Sequence, residues 1–257
     1  MRFDDIRQFI DFLDRKGELR RISEKVSPEL EITEIVDRVV KKQGPALLFE
    51  NVEGYDVPIL VNIFGSHQRM AWGLGVNNIN EITNRVRGLL NLLEGPPDGF
   101  INKINLLKNL LGIASTKPNI ISKAPCQEVV YLDSDADFSI LPALKCWPLD
   151  AGKYITLPLV ITKDVITGRR NVGTYRMQIF DSSTAGMHWQ THKVGTKHQR
   201  TAQEKGLERI DVAVAEVNFK SELLTLLAIN DTTSASIFLI SACHFESKVK
   251  APTAGIS

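Results

Sequence analysis

The stretch that decides the fold is residues 147–193, which read WPLDAGKYITLPLVITKDVITGRRNVGTYRMQIFDSSTAGMHWQTHK. Apolar and β-branched residues predict one strand over 155–162 and a second over 171–180, with a turn at 164–168 between them. The polar loop 181–186 follows, and the stretch ends in a cluster of polar and aromatic side chains: His188, Trp189, Gln190, His192 and Lys193. Two strands that deliver amide, guanidinium and imidazole groups to one place predict a functional site as well as a core.

The first hundred residues are typical of a mixed α/β region. Apolar residues at helical spacing predict a first helix from Ile6 to Leu13, with Gly17 as its stop. A second helix is predicted to start at Ser27-Pro28, because proline is tolerated in a first helical turn. Other apolar patterns predict two short strands and two more helices: 46–49 and 59–64, then 79–93 and 103–111.

Beyond about residue 118 the pattern becomes β-rich. Short β-branched runs predict further strands at 128–132 and 210–215, and a helix-like element precedes the latter at 201–206. We therefore place a domain boundary near residue 115. The chain is predicted to consist of three regions: 1–115, 116–215 and 216–257.

Composition narrows the class of protein. The chain of 257 residues is 43% hydrophobic and 24% charged, a profile typical of soluble globular proteins. Its net charge of +1 gives no reason to expect a nucleic-acid partner. Three widely spaced cysteines, Cys126, Cys146 and Cys243, make no disulfide frame, which favours a reducing cytoplasm. The charged N-terminal residues predict no signal peptide, and no apolar run reaches the length of a bilayer span.

Asn171 and Arg176 are candidate site residues. An amide oxygen is a neutral hard ligand for Mg²⁺ or Mn²⁺, although Asn171 also suits the turn after Gly168. An arginine inside an apolar strand must be paired or face a cavity, so Arg176 either holds a substrate carboxylate or makes a structural salt bridge. Asn171 and Arg176 are five residues apart, an odd number, so an ideal strand would place their side chains on opposite faces of the sheet. A bulge at Gly173, or a position of Asn171 before the regular pleat, would reconcile them.

His188 and His192 are a weaker metal signal. They are four residues apart, so on a helix they would share a face and could bind a metal ion. No glutamate follows His188, so the HExxH pattern is absent, and a polar loop is the competing interpretation. The chain also lacks the GxGxxG, Walker and GxSxG patterns.

Six segments, in this order, resemble one enzyme family. They are GELRRI (17–22), EITEIVDRVV (31–40), GPALLFENVEGYDVPILVNIFGS (44–66), CWPLDAGKYITLPLVITKD (146–164), GRRNVGTYRMQIFD (168–181) and GMHWQTHK (186–193). Together they resemble the UbiD-type decarboxylases, the prenylated-FMN-dependent carboxy-lyases of quinone biosynthesis and aromatic-acid metabolism. The resemblance runs from near the N-terminus to about residue 215.

The resemblance implies an α+β fold. An N-terminal α/β domain over 1–115 would be followed by a split β-barrel like that of flavin reductases. Residues 116–215 would supply the first half of that barrel, so the barrel in this chain would be incomplete. Residues 216–257 do not match the family.

The resemblance also implies a site that holds prenylated FMN, Mn²⁺ and K⁺. Asn171 and His188 would be two of the metal ligands. Arg176 would be the catalytic arginine that faces the substrate carboxylate. The residues that would line the cofactor are Thr174, Tyr175, Arg176, His188, Trp189, Gln190, Lys193 and Val194.

The implied reaction is non-oxidative loss of CO₂ from an aromatic or α,β-unsaturated acid, with a 4-hydroxybenzoate-type precursor of ubiquinone or menaquinone as the leading substrate. Implied partners are a prenyl-FMN synthase as cofactor supplier, a membrane surface bound peripherally through the quinone precursor, and further copies of the chain. The family's third metal ligand and acidic catalytic residues fall beyond the matching segments, so we expect the chain alone to be truncated and inactive. Two alternatives stay open: a non-catalytic flavin- or partner-binding fragment, and a flavin reductase that oxidises NAD(P)H with ordinary FMN.

Overall fold

A computed structural model describes residues 3, 5–93, 129–132 and 135–215. These residues form two compact units. The first contains residues 3, 5–27 and 31–93, and the second contains 28–30, 129–132 and 135–215. The predicted boundary near 115, the predicted helix 103–111 and the region 216–257 lie outside the described residues. None of the helices in the described part is long and apolar enough to cross a bilayer.

The first unit is a small sheet with helices. In chain order its elements are α1 (Ile6–Arg15), β1 (Leu19–Ile22), α2 (Glu31–Lys41), β2 (Ala46–Phe49), β3 (Ile59–Val61), α3 (His67–Gly73) and α4 (Asn80–Leu93). Strand β2 is central, parallel to β1 and antiparallel to β3. The predictions of helices at 6–13 and 79–93 and of a strand at 46–49 are confirmed. The predicted strand 59–64 is shorter, because Asn62 takes a left-handed conformation with φ 57°.

Helix α1 shows how the sequence builds this unit. The Asp5 carboxylate accepts a hydrogen bond from the Gln8 N–H at 2.9 Å and caps the start of the helix. Gly17, with φ 70°, ends it, as predicted. Phe9 and Leu13 are fully buried and pack in a core with β1 and β2. Each such side chain contributes about 1.5–3 kcal/mol through the hydrophobic effect.

The start of α2 differs from the prediction. The helix begins at Glu31 and not at Ser27-Pro28. The Glu31 carboxylate accepts a hydrogen bond from the Ser27 N–H at 2.7 Å, which fixes the residue that lies one turn before the helix. Residues 28–30 belong to the second unit, where the Leu30 N–H donates to the Lys145 carbonyl at 3.0 Å. Pro28 therefore lies in a segment that is hydrogen-bonded to Lys145, and not in a helical turn.

The described part of the second unit contains two three-stranded antiparallel sheets, one α-helix and a short 3₁₀ helix, Phe138–Ile140. Its elements are β4 (Lys153–Ile155), β5 (Leu159–Lys163), β6 (Arg170–Thr174), β7 (Met177–Ile179), β8 (Ala185–Met187), α5 (Val194–Glu204) and β9 (Val212–Ala215). One sheet has the order β4-β7-β8 and the other β6-β5-β9. The whole is a mixed α+β fold, and the strands described here form no closed barrel.

The predicted strands 155–162 and 171–180 are each two strands, one in each sheet. Leu159 pairs with Thr174 on one side of the break, and Ile155 pairs with Met177 on the other. Three residues, 156–158, thus lie opposite two, 175–176. The first side therefore uses one more residue to pass between the two sheets, beside the buried Pro158. Neither alternative that would reconcile Asn171 with Arg176 holds, because Gly173 pairs regularly with Val160 and Asn171 pairs with Thr162 within the strand.

Other elements of this unit also have bounds that differ from the predicted ones. Residues 129–132 contain no strand, so that prediction is wrong over the described part of 128–132. The predicted helix 201–206 is the end of the longer α5, and the predicted strand 210–215 starts only at Val212. The predicted loop 181–186 already includes the first residues of β8. The turn at 164–168 is confirmed, since the Gly168 N–H donates to the Asp164 carbonyl at 2.9 Å.

Candidate functional site

Tyr175 is the centre of a buried aromatic cluster at the bend between β6 and β7. Its hydroxyl accepts a hydrogen bond from the Gly195 N–H at 2.9 Å, in the first turn of α5. Its ring meets the edge of Trp189, with centroids 4.9 Å apart at 66°. The Lys193 ammonium lies 5.7 Å from the centre of the same ring. Three of the residues predicted to line a cofactor, Tyr175, Trp189 and Lys193, are therefore in one place.

Two glycines allow this cluster to pack. A Cβ on Gly173 would lie 2.8 Å from the Tyr175 ring, and a Cβ on Gly195 would lie 2.2 Å from the Trp189 ring. Neither distance is tolerated between real atoms, so both positions need glycine for close approach rather than for an unusual backbone conformation. Gly173 was considered only as a possible bulge. No local pattern marks Gly195, because its need for glycine comes from a contact with Trp189 in the preceding loop.

Arg176 and His188 lie opposite each other at the end of the β7–β8 ladder. The His188 N–H donates to the Arg176 carbonyl at 2.9 Å, which extends the register set by Met177 and Met187. Residues paired in this way project from the same face of a sheet. The structure thus brings together the predicted catalytic arginine and a predicted metal ligand. Both side chains are exposed.

The Arg176 guanidinium rests on an aromatic ring. Its central carbon lies 4.8 Å from the centroid of Tyr154, which belongs to β4. Among the described residues no carboxylate lies within ion-pair distance of Arg176, so the salt-bridge interpretation finds no support there. A guanidinium that stacks on a ring keeps its in-plane N–H donors available for a planar anion.

Asn171 lies in the other sheet, within β6 and not in the turn after Gly168. It pairs with Thr162, so both side chains project from the same face. The Asn171 side-chain nitrogen is enclosed and has no hydrogen-bond partner among the described residues. A half-turn of the amide would put its oxygen at that place, and a buried amide oxygen without a donor is a suitable ligand for a hard cation.

A buried polar chain lies beside Asn171 and was missed by the sequence analysis. The Thr162 hydroxyl is 2.9 Å from Nδ1 of His198, a residue of α5, and the His198 Nε2 is 3.9 Å from an Asp164 carboxylate oxygen. Asp164 accepts hydrogen bonds from the Thr167 N–H at 2.7 Å and the Ile166 N–H at 2.9 Å. The Thr167 N–H is the main cause that lowers the pKa of Asp164 below its usual 3.8, and His198 adds to the effect. The signal available in the sequence was a histidine on the buried face of α5.

The remaining predicted site residues occupy the same part of the chain. Thr174 ends β6 opposite Leu159, and Val194 begins α5. The Gln190 carbonyl accepts a hydrogen bond from the Thr196 hydroxyl at 2.7 Å, which ties the loop 188–193 to α5.

The candidate metal ligands are only partly brought together. His188 and His192 are both exposed in the loop 188–193, so the helical metal pair is wrong and the loop interpretation is confirmed. In the part of the chain that the structure describes, no group of three His, Cys, Asp or Glu side chains is placed to hold a metal ion. A shared ion between Asn171 and His188 stays a prediction.

The site combines a partly buried aromatic cluster, a lysine, an imidazole and an arginine with free donors. Such a set is suited to a planar, anionic ligand, since rings contact its faces and cations its charged groups. The protein is therefore of the α+β class, with its candidate site in the second unit.

Comparison with known proteins gives the family. Residues 10–86 match the 3-octaprenyl-4-hydroxybenzoate carboxy-lyase N-terminal domain, and residues 119–216 match the Rift-related domain of the same enzyme. The chain belongs to this family, the UbiD carboxy-lyases.

Two curated relatives are uncharacterised proteins. One, from Archaeoglobus fulgidus, is 48% identical over 215 residues, which cover 84% of this chain and 43% of the relative. The other, from Aquifex aeolicus, is 42% identical over 216 residues, which cover 83% of this chain and 44% of the relative. The chain thus spans less than half the length of these relatives.

Solved structures agree with this assignment. Vanillic acid decarboxylase from Sedimentibacter hydroxybenzoicus, in its closed form, matches with a TM-score of 0.68 at 25% identity, over 85% of this chain and 44% of that one. The UbiD-class enzyme HmfF from Pelotomaculum thermopropionicum, in an evolved dimeric form in complex with prFMN, matches with a TM-score of 0.63 at 20% identity. That match covers 89% of this chain and 51% of the other, and at this identity it shows the fold alone.

Proposed function

We propose that the protein acts in the non-oxidative decarboxylation of an aromatic or α,β-unsaturated carboxylic acid. The observation that carries the proposal is the geometry of Arg176. Its guanidinium lies on the Tyr154 ring and has no carboxylate partner among the described residues. Such a group can donate two parallel hydrogen bonds to the two oxygens of a substrate carboxylate. Membership of a carboxy-lyase family supports the same reaction.

Prenylated FMN is the cofactor that we propose for this site. The aromatic cluster fits a flat, anionic group: Tyr175 and Trp189 supply ring surface, and Lys193 supplies positive charge beside them. Gly173 and Gly195 allow the Tyr175 and Trp189 rings to pack closely, which keeps these rings in place. Thr174, Gln190 and Val194 would complete the contacts. The cofactor supplies the covalent chemistry that releases CO₂, and the protein supplies orientation and charge.

Asn171 and His188 would hold Mn²⁺, with K⁺ nearby. The enclosed Asn171 side-chain nitrogen has no hydrogen-bond partner among the described residues, and a flipped amide would place its oxygen there as a metal ligand. Imidazole nitrogen and amide oxygen are both accepted by Mn²⁺. We propose that these ligands lie in the two sheets of a split barrel. The strands of the second unit that pass from one sheet to the other would form the start of that barrel.

Arg176 would act on the substrate directly. Its fork would fix the plane of the carboxylate, so that the bond to be broken keeps one orientation while CO₂ leaves. His188, on the same face, would add a second polar contact beside it. A 4-hydroxybenzoate-type quinone precursor is the substrate that we propose first. The proposed partners are a prenyl-FMN synthase, a membrane surface that carries the quinone precursor, and further copies of the chain.

The test is loading followed by turnover. The protein is produced together with a prenyl-FMN synthase, and its absorption spectrum and metal content are measured. CO₂ release is then assayed with aromatic and acrylic acids, including 4-hydroxybenzoate. We expect a bound modified flavin and manganese but no CO₂ release from this chain alone, since the acidic catalytic residues fall beyond the matching segments. Acid-dependent CO₂ release is expected when the chain is joined to the C-terminal half of a relative. NAD(P)H oxidation with ordinary FMN, and no CO₂ release from the joined protein, would favour a flavin reductase instead.

Arg176→Ala, made in the chain joined to the C-terminal half of a relative, is the decisive variant. We expect it to lower turnover by at least about 100-fold, because loss of a group that orients the reacting carboxylate acts on the chemical step. Cofactor content should stay close to that of the unmodified protein. Arg200→Ala is the matched control, since Arg200 is an exposed arginine on α5. Near-normal turnover in Arg176→Ala would show that Arg176 has no role in catalysis.

A further inference from the structure

Tyr154 is a residue that neither the sequence nor the family comparison singled out. It lies in β4 and pairs with Gln178 of β7. Arg176 is two residues before Gln178, so it is the diagonal neighbour of Tyr154 on the same face. Their side chains meet, with the guanidinium carbon 4.8 Å from the ring centroid. The register of the sheet therefore produces the contact between the ring and the arginine.

The Tyr154 ring is held firmly at both ends. Its backbone N–H donates to the Leu144 carbonyl at 3.0 Å, and its hydroxyl donates to Oε1 of Gln178 at 3.3 Å. The side chain is half-buried, whereas Arg176 is exposed. The Tyr154 ring beneath the exposed Arg176 limits the positions that the guanidinium can take. A stacked arrangement would leave the in-plane N–H donors free to point outward.

We propose that Tyr154 is a positioning residue that holds the Arg176 guanidinium in the orientation that receives the substrate carboxylate. This inference rests on the proposed role of Arg176 and adds the group that orients it. A ring stacked on the guanidinium takes none of its N–H donors, so these stay available to a carboxylate.

The first measurement needs neither turnover nor a variant. A guanidinium stacked on an aromatic ring places its neighbouring methylene protons in the ring current, so the δ protons of Arg176 should resonate upfield. The exposed Arg200, on α5, serves as the internal reference and should show no such shift. NMR spectra of the protein without substrate provide this comparison. An unshifted Arg176 signal would overturn the proposal.

Two variants then test the role of the ring. Tyr154→Phe keeps the ring and removes only the hydrogen bond to Gln178, so the upfield shift should persist. Tyr154→Leu removes the ring, and the shift should disappear. Benzoate is the carboxylate probe, titrated into the protein loaded with prenylated FMN and followed at the Arg176 Nε resonance. We expect the dissociation constant to change by less than about twofold in Tyr154→Phe and to rise about two- to fivefold in Tyr154→Leu.

The outcomes separate the two proposals. Equal benzoate affinity in Tyr154→Leu and in the unmodified protein would overturn the positioning role of Tyr154 and leave the role of Arg176 intact. A shifted Arg176 that does not respond to benzoate would overturn both, because no carboxylate would then be received. Loss of affinity in Tyr154→Leu with near-normal affinity in Tyr154→Phe would support the proposal, since a purely structural role through the Gln178 bond would affect both variants.

Discussion

Gly195→Ala tests whether the aromatic cluster is packed as tightly as the structure indicates. Gly195 lies in the first turn of α5, where alanine is normally the better helix former by about 1 kcal/mol. Intrinsic propensity alone therefore predicts that the variant is more stable. The packing predicts the reverse, because the new Cβ would lie 2.2 Å from Cζ3 of Trp189 and 2.9 Å from the Tyr175 hydroxyl oxygen.

The packing cost should exceed the gain in propensity. Trp189 can yield only by moving away from Tyr175, and such an edge-to-face contact is worth about 0.5–1.5 kcal/mol. Displacement of the Tyr175 hydroxyl would weaken its hydrogen bond with the Gly195 N–H, a loss of about 1 kcal/mol. Strain from the added methyl group adds about 1–3 kcal/mol. After the gain of about 1 kcal/mol from helix propensity, we expect net destabilisation of about 1.5–4.5 kcal/mol.

Urea unfolding, followed by far-ultraviolet circular dichroism, measures this difference. Gly152→Ala is the matched control in the same unit, because its Cβ would approach no atom closer than the Ile179 carbonyl oxygen at 3.4 Å. Both variants lose the same backbone freedom in the unfolded chain, so the difference between them isolates the contact with Trp189. If Gly195→Ala is as stable as Gly152→Ala, the cluster is looser than described and the reasoning is refuted.

Two further predictions concern charged groups. Arg69→Ala should destabilise the first unit by about 3 kcal/mol in urea unfolding, because buried Arg69 donates a hydrogen bond to Glu18 at 2.6 Å. Arg38→Ala breaks an exposed pair with Glu34 and should cost at most about 0.5 kcal/mol. The lowered pKa of Asp164 means that its carboxylate stabilises the fold above pH 3.8 and that this contribution is lost as the pH falls through the folded-state pKa. Asp164→Asn should therefore flatten the decline in stability below about pH 4, and an unchanged acid limb would contradict this assignment.

Local pattern was enough for those elements whose environment is set by near neighbours. Helix α1 follows from the spacing of Phe9 and Leu13, and its end follows from Gly17. Strand β2, buried at every position, follows from its unbroken apolar run. The order of the motifs placed most of the site in one segment, and Tyr175, Trp189 and Lys193 do meet there.

The missed features depend on contacts between segments far apart in the chain. The expectation that Asn171 and Arg176 lie on opposite faces assumed one continuous strand, but the chain passes from one sheet to the other between them. No local pattern fixes the register that places Tyr154 beside Gln178, so the ring under Arg176 could not be predicted. The start of α2 was misplaced for a similar reason, because the position of Pro28 is decided by a bridge near Lys145, more than a hundred residues later.

The single extra residue at 156–158 makes chain length itself part of the site. Residues 156–158 carry the chain from β4 in one sheet to β5 in the other, so deletion of the exposed Leu157 would force β4 to shift by one residue against β7 if β5 keeps its place. A shift of one residue turns every side chain of a strand to the opposite face, so Tyr154 would leave the face that carries Arg176, although no residue of the site had been replaced. Substitutions at Leu157 should be tolerated by comparison. In this protein, a change of one in the count of residues between two strands would be more harmful than most changes of residue type.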